Sequence, residues 1–141
     1  MHSPMLAPAM VLVLWSLVML LWLTVSRLPS LAKAGIQLGN VVGGRGQDLE
    51  GVLPANVNWK AHNYAHLMEQ PTIFYPTVIV LAVTGAASGI DVELAWAYVV
   101  LRIVHSLVQA LWNRVAVRFT IFFISTVVLV VLAVDALRAV I

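Results

Sequence analysis

The chain has 141 residues, of which 62% are hydrophobic and only 10% charged, with a mean hydropathy of +0.97. A soluble domain runs nearer to about 45–50% apolar and about 25% charged, and a water-soluble fold of this length has too little interior to hide so much apolar surface. The absence of cysteine excludes disulfides, thiolate metal sites and a cysteine nucleophile, and a formal charge of +2 is too small to point to nucleic acid. The expectation is a single all-α integral membrane domain over residues 1–141.

The first apolar run, about 7–26, has the roughly 20 residues that a bilayer core requires. A cleaved signal peptide is the competing reading, because Ala32-Lys33-Ala34 resembles a cleavage site. Against it, no lysine or arginine precedes the run, the run is long for such a segment, and Arg27 follows it directly. Residues 27–56 hold Pro29, Gly35, Gly39, Gly43, Gly44, Gly46, Gly51 and Pro54. They read as a loop, with a short interfacial helix expected near Leu28–Leu38. Gly43-Gly44-Arg45-Gly46 fits neither a phosphate loop nor a dinucleotide fingerprint, having no following lysine-serine/threonine and no preceding strand.

The second span is expected at about 57–84. Its purely apolar part, Ile73 to Val83, is too short to cross alone. The helix must therefore start near Val57 and carry His62, Asn63, His66, Glu69 and Gln70 into the membrane, bent by Pro71 and Pro76. The third span, about 93–112, has an acidic start at Asp91 and Glu93, which suits the helix dipole. It contains Arg102, His105 and Gln109. After the short connection at Asn113-Arg114, the fourth span covers about 115–137. Its valine and isoleucine favour strand in water, but a lone segment in lipid must satisfy its own backbone, and a helix does so.

Orientation follows from the lysines and arginines in the connections. The first and third connections share one side and carry Arg27, Lys33, Arg45, Lys60, Arg114 and Arg118. The other side has Arg138, with Asp91, Glu93 and Asp135. The first and third connections are therefore expected in the cytoplasm, and both termini outside.

Ionisable groups at bilayer depth are costly and are functional candidates by default. At about 1.5 Å per residue, Glu69 on the second helix and Arg102 on the third fall at similar depth, roughly 13 and 15 Å from the cytoplasmic end. His62, His66 and Glu69 are spaced i, i+4, i+7, and Arg102, His105 and Gln109 i, i+3, i+7, each set on one helical face. The two ladders predict a buried Glu69–Arg102 ion pair with His66 and His105 in the layer above it. Taken singly, each residue has a structural reading: a charge tolerated because its partner is present, histidines as interhelical hydrogen-bond partners, Arg114 and Arg118 as positive-inside residues. Together they outline a polar cleft with two arginines at its entrance, suited to an anionic, partly amphiphilic ligand.

The stretch His62-Asn63-Tyr64-Ala65-His66-Leu67-Met68-Glu69-Gln70-Pro71-Thr72-Ile73-Phe74-Tyr75 resembles the second-helix signature of the MAPEG proteins, the membrane-associated proteins in eicosanoid and glutathione metabolism. Arg102-Ile103-Val104-His105, followed by Arg114 and Arg118, is similar to their third-helix pattern and to the arginines leading into the fourth helix. The resemblance covers about residues 57–135. It implies a four-helix bundle assembled as a homotrimer, with glutathione bound near the cytoplasmic side between neighbouring subunits. It also places the family's glutamate at Glu69, its third-helix arginine at Arg102, its histidine at His105, and the arginine that activates the glutathione thiol at Arg118. A guanidinium beside a thiol favours the thiolate, which is the nucleophile. The departures are His62 where the family has arginine, His66 where it has asparagine, Gln109 where a tyrosine is common, and Phe119 where some members carry a hydroxyl.

Three functions follow from these residues. The first is a glutathione-dependent transferase or peroxidase acting on a lipophilic electrophile that enters from the bilayer. Here Arg118 stabilises the thiolate, and His62, His66, Glu69, Arg102, His105, Gln109 and Arg114 bind the ligand. The second is a non-catalytic bundle that binds a lipid or another anion, favoured by the replacements at positions 62 and 109. The third is a metal site of His62, His66 and Glu69 with His105, since i, i+4 histidines can chelate zinc. The metalloprotease motif, however, needs glutamate where Asn63 stands. The lack of a eukaryotic targeting or retention signal points to a bacterial inner membrane.

Overall fold

The structure, a computed structural model, describes residues 3–141; its regular elements are all helices, with no strand among the described residues. Five helices follow in chain order: α1 (Leu6–Lys33), α2 (Ala55–Leu67), α3 (Pro71–Thr84), α4 (Gly89–Leu111) and α5 (Val115–Arg138). With α2 and α3 taken together, four segments are long and apolar enough to cross a membrane. Large apolar side chains such as Leu14, Leu21, Val83, Val100 and Phe123 face outward, the arrangement expected where lipid replaces water as solvent.

α1 continues past Arg27 to Lys33, through Pro29. The interfacial helix expected near Leu28–Leu38 is therefore the tail of α1, and the loop begins at Ala34. Packing explains the extension. Leu31 is buried against Leu53 and Val57, with Ile36 and Leu49 beside them. The Ser30 hydroxyl also donates to the Ser26 carbonyl at 2.9 Å. The loop holds two short 3-10 turns, Leu38–Asn40 and Gly46–Leu49.

The second span is two helices rather than one bent helix. α2 stops at Leu67, the Met68 amide bonds back to Tyr64 and Ala65, and Pro71 opens α3. Proline lacks the N–H that a continuous helix would use, but it suits a first helical turn, where that N–H would have no partner. The break is bridged by Gln70, whose amide donates to the Thr126 hydroxyl on α5 at 2.8 Å and accepts from the Tyr98 hydroxyl on α4 at 3.1 Å. α3 ends on Gly85 at φ 68°, a left-handed cap that glycine adopts without strain.

α4 forms the centre of the bundle, packing on α1, α2 and α5. A capping box opens it: the Ser88 hydroxyl accepts from the Asp91 amide, and the Asp91 carboxylate accepts from the Ser88 amide at 2.7 Å. Its inner face is polar toward the C-terminal end, where Arg102, His105, Ser106 and Gln109 are all buried. Phe74, Val78, Leu81, Tyr98, Val99 and Leu132 fill the other half of the core, with Phe74 and Tyr98 stacked at 4.3 Å. Asn113, at φ 55°, turns the chain directly from α4 into α5; asparagine is among the few residues that tolerate this conformation.

Candidate functional site

A cleft of about 200 Å³ opens between α2, α4 and α5, lined by His66, His105, Gln109, Val115, Arg118, Phe119 and Phe122. It is built from the broken end of α2, the polar face of α4 and the first two turns of α5. Val115, Arg118, Phe119 and Phe122 recur at i, i+3, i+4 and i+7, so one face of α5 forms a wall of the cleft. The His66 and His105 rings stack at 4.7 Å between centroids, and Phe122 meets His66 edge-on at 5.3 Å.

Arg102 lies beneath the histidines and is 0% exposed. Its Nη2 donates to His66 Nδ1 at 2.9 Å and to the His66 carbonyl at 3.1 Å, and its guanidinium stands 5.7 Å from the Phe122 ring. A guanidinium only donates hydrogen bonds. His66 Nδ1 must therefore be the acceptor, and the proton of this neutral ring resides on Nε2. The ring is thereby locked in one tautomer, with a donor turned away from Arg102. His105 has no such tie to the guanidinium.

The expected Glu69–Arg102 pair does not form. Glu69 lies in the turn after α2 rather than on its helical face, so the i, i+7 relation that would align it with His62 is broken before it is completed. Its side chain is 68% exposed and stands 4.0 Å from His66 Nε2. His66 has taken the place beside Arg102 that the sequence reading gave to the acid. Arg102 Nε and Nη1 are buried with no hydrogen-bond partner, as are Arg118 Nε and Gln109 Oε1. The cleft thus contains two guanidinium groups, one lining it and one beneath, and no carboxylate in its lining.

Of the other residues singled out from sequence, His105, Gln109 and Arg118 meet His66 in the cleft. His62 does not. It pairs with Glu50 of the loop and faces a separate hollow of about 530 Å³ that also contains Arg27 and Arg45. Arg114 lies over the Trp112 ring at 5.4 Å rather than in the lining. With His62 turned to the loop, the histidine–glutamate metal cluster does not assemble, and no group of three metal-ligating side chains occurs among the described residues. Sequence reading missed Phe122 as the floor of the cleft, although its position four residues after Arg118 places both on one face. It also missed the buried bond from the Asn63 amide to the Ser106 hydroxyl, at 2.7 Å, which ties α2 to α4.

A bundle of four helices long and apolar enough to cross a membrane, with a basic cleft near one end, defines a class: a multi-pass membrane protein. The sequence pattern of the MAPEG family matches residues 5–138, nearly the whole chain, and the protein belongs to that family. The family includes glutathione-dependent transferases and peroxidases. Comparison with curated proteins gives no significant match, and neither does comparison with solved structures.

Proposed function

We propose that this protein binds glutathione in the α2–α4–α5 cleft and uses Arg118 to hold its sulfur as the thiolate, for attack on a lipophilic electrophile or hydroperoxide drawn from the bilayer. The observation that carries this reading is a cleft with buried, unpartnered donors on Arg102 and Arg118 and no acid in its lining. A buried cation without a counter-charge is costly, and an anionic ligand removes that cost. Glutathione supplies both carboxylates and a nucleophilic sulfur. Arginine suits carboxylates through its planar fork of donors and lowers the pKa of a neighbouring thiol by charge. His66, locked as an Nε2–H donor, orients the ligand. His105, not committed to Arg102, positions the ligand beside His66, and the thiol proton leaves to water at the cleft mouth. Gln109 Oε1 accepts from an amide or ammonium of the peptide.

The residues of one protomer fit part of such a ligand. At about 200 Å³ the cleft is smaller than the roughly 300–1,000 Å³ of small-molecule sites, and it is open toward Phe119, which is 66% exposed. Glu69 is exposed at bilayer depth, where a bare carboxylate is unfavourable. Both features call for a neighbouring copy, which favours the homotrimer in which family members are often found. The excess of arginine and lysine on the first and third connections favours a cleft mouth toward the cytoplasm and both termini outside; we take the membrane to be a bacterial inner membrane.

Glutathione at 100 times its dissociation constant should stabilise the purified protein by about 2.7 kcal/mol, seen as a rise of several degrees in melting temperature in detergent. Arg118→Ala should lose most of this rise. No shift at millimolar glutathione contradicts the proposal.

The alternative is a non-catalytic bundle that holds a lipid or other anion. It is favoured by His62, which is engaged by Glu50 instead of the cleft, and by Gln109 in place of a phenolic donor. Binding without turnover across a panel of electrophiles and hydroperoxides would select it; glutathione conjugation would rule it out.

A further inference from the structure

A third cleft, of about 410 Å³, lies under the 34–54 loop; it adjoins the His62 hollow, with which it shares Arg27, Arg45 and Gly46, and is separate from the His66–Arg118 cleft. Leu28, Leu31, Ile36, Leu38 and Val41 give it an apolar wall, and Arg27 and Arg45 stand at its edge. Its volume is within the range of small-molecule sites. The depth of this cleft follows from helix geometry. Arg27 is 21 residues beyond Leu6 on α1, about 31 Å along the axis, which matches a hydrocarbon core of about 30 Å. Arg27 therefore sits where hydrocarbon gives way to headgroups. The last turns of α1 and the loop lie in the headgroup layer.

The loop itself is unsuited to water. Val42 is 98% exposed, and Leu38, Val41 and Val52 are each more than half exposed. Trp22, about 7 Å deeper than Arg27 on α1, has the Lys60 ammonium 5.1 Å from its ring, as aromatic and cationic side chains do near a membrane interface. The Arg27 guanidinium is poorly satisfied. Its Nη2 reaches the Gly46 carbonyl at only 3.4 Å, and its Nε is buried without a partner. Gly46 permits this approach, since a Cβ there would stand 3.0 Å from Arg27 Nη1. The one carboxylate in the lining, Asp48, is tied to the Arg45 backbone amide at 2.6 Å.

We propose that this cleft is a docking site for an anionic phospholipid of the adjoining leaflet, with its phosphate on Arg27 and Arg45 and the start of an acyl chain along Leu28, Leu31 and Ile36. The charge at the rim selects the headgroup, and the apolar wall at headgroup depth accepts the chain. A lipid held there braces the loop against α1.

The test titrates the purified full-length protein, in mild detergent, with palmitoyl-oleoyl phosphatidylglycerol or the matching phosphatidylcholine, read by native mass spectrometry. Phosphatidylglycerol should bind at least about five-fold more tightly, the ratio that a single basic residue gives at about 1 kcal/mol near an anionic surface. The preference should vanish in the double variant Arg27→Gln/Arg45→Gln and persist in Arg27→Lys/Arg45→Lys, while Leu38→Ser/Val41→Ser should weaken both lipids. Equal binding of the two lipids by the wild type would overturn the proposal, as would a preference unchanged in the glutamine variant. Displacement of the lipid by glycerol phosphate at matching concentration would show a soluble-anion site and overturn it too. A change of oligomeric state in Leu38→Ser/Val41→Ser, with lipid binding intact, would show that a second copy covers the cleft, again against the proposal. Should the glutamine variant fail to fold, the wild-type comparison and the serine variant still decide.

Discussion

Arg102 shows how a buried charge chooses its partner. A guanidinium inside a bundle needs acceptors, and both a carboxylate and a neutral imidazole can serve. Here His66 supplies two acceptors at one position, its Nδ1 and its backbone carbonyl. α2 ends there, and the carbonyl, which accepts from the Glu69 amide at 3.3 Å, has a second lone pair left for Arg102. Removing the ring strands part of a buried charge. His66→Ala should lower stability by about 2 kcal/mol, in the range for hydrogen bonds to charged groups. Glu69→Gln should change the stability of the protomer by less than about 1 kcal/mol, the range for exposed ion pairs. Denaturant unfolding of the two variants in the same detergent compares them. A larger loss for Glu69→Gln than for His66→Ala would restore the acid as the partner of Arg102.

At the scale of elements, the break between α2 and α3 decides which side chains enter the cleft. Helical spacing read straight through residues 62–69 aligns His62, His66 and Glu69, and that alignment fails because the helix stops at Leu67. Pro71 was visible in the sequence as a source of bending. That it would open a new helix was not, because the choice between kink and break rests on Gln70 finding partners on two other helices. Gln70→Leu should cost about 1 kcal/mol, within the range of interhelical hydrogen bonds in membranes. The start of α4 was legible as an acidic helix start, and the structure adds its cap. Ser88→Ala removes the hydroxyl that accepts from the Asp91 amide and should cost about 1 kcal/mol, measurable by the same unfolding assay. The spans themselves were legible because lipid leaves an apolar segment few alternatives to helix. The loop was not: its glycines and prolines announce irregular chain, but that α1 would outrun Pro29 depends on Leu31 meeting Leu53 and Val57, contacts far apart in sequence.

At the scale of the whole molecule, one protomer leaves two features unfinished: a cleft open on one side and a carboxylate exposed at bilayer depth. The proposed homotrimer would close both, so a cross-linker bridging copies near Glu69 should trap a trimer in native membranes. By the resemblance drawn from its sequence, the chain would retain the family's glutathione site only in part, with His62, His66, Gln109 and Phe119 in place of the usual residues. His66 and Gln109 still line the cleft, and His62 leaves it for Glu50. In the proposed function the chemistry therefore rests on Arg118. The ultraviolet absorption of bound thiolate, recorded on the wild-type protein with millimolar glutathione at neutral pH, tests that directly. The signal should appear in the wild type and be lost in Arg118→Ala even where glutathione remains bound. Equal thiolate signals from both proteins, or none from the wild type, would contradict the assignment of Arg118.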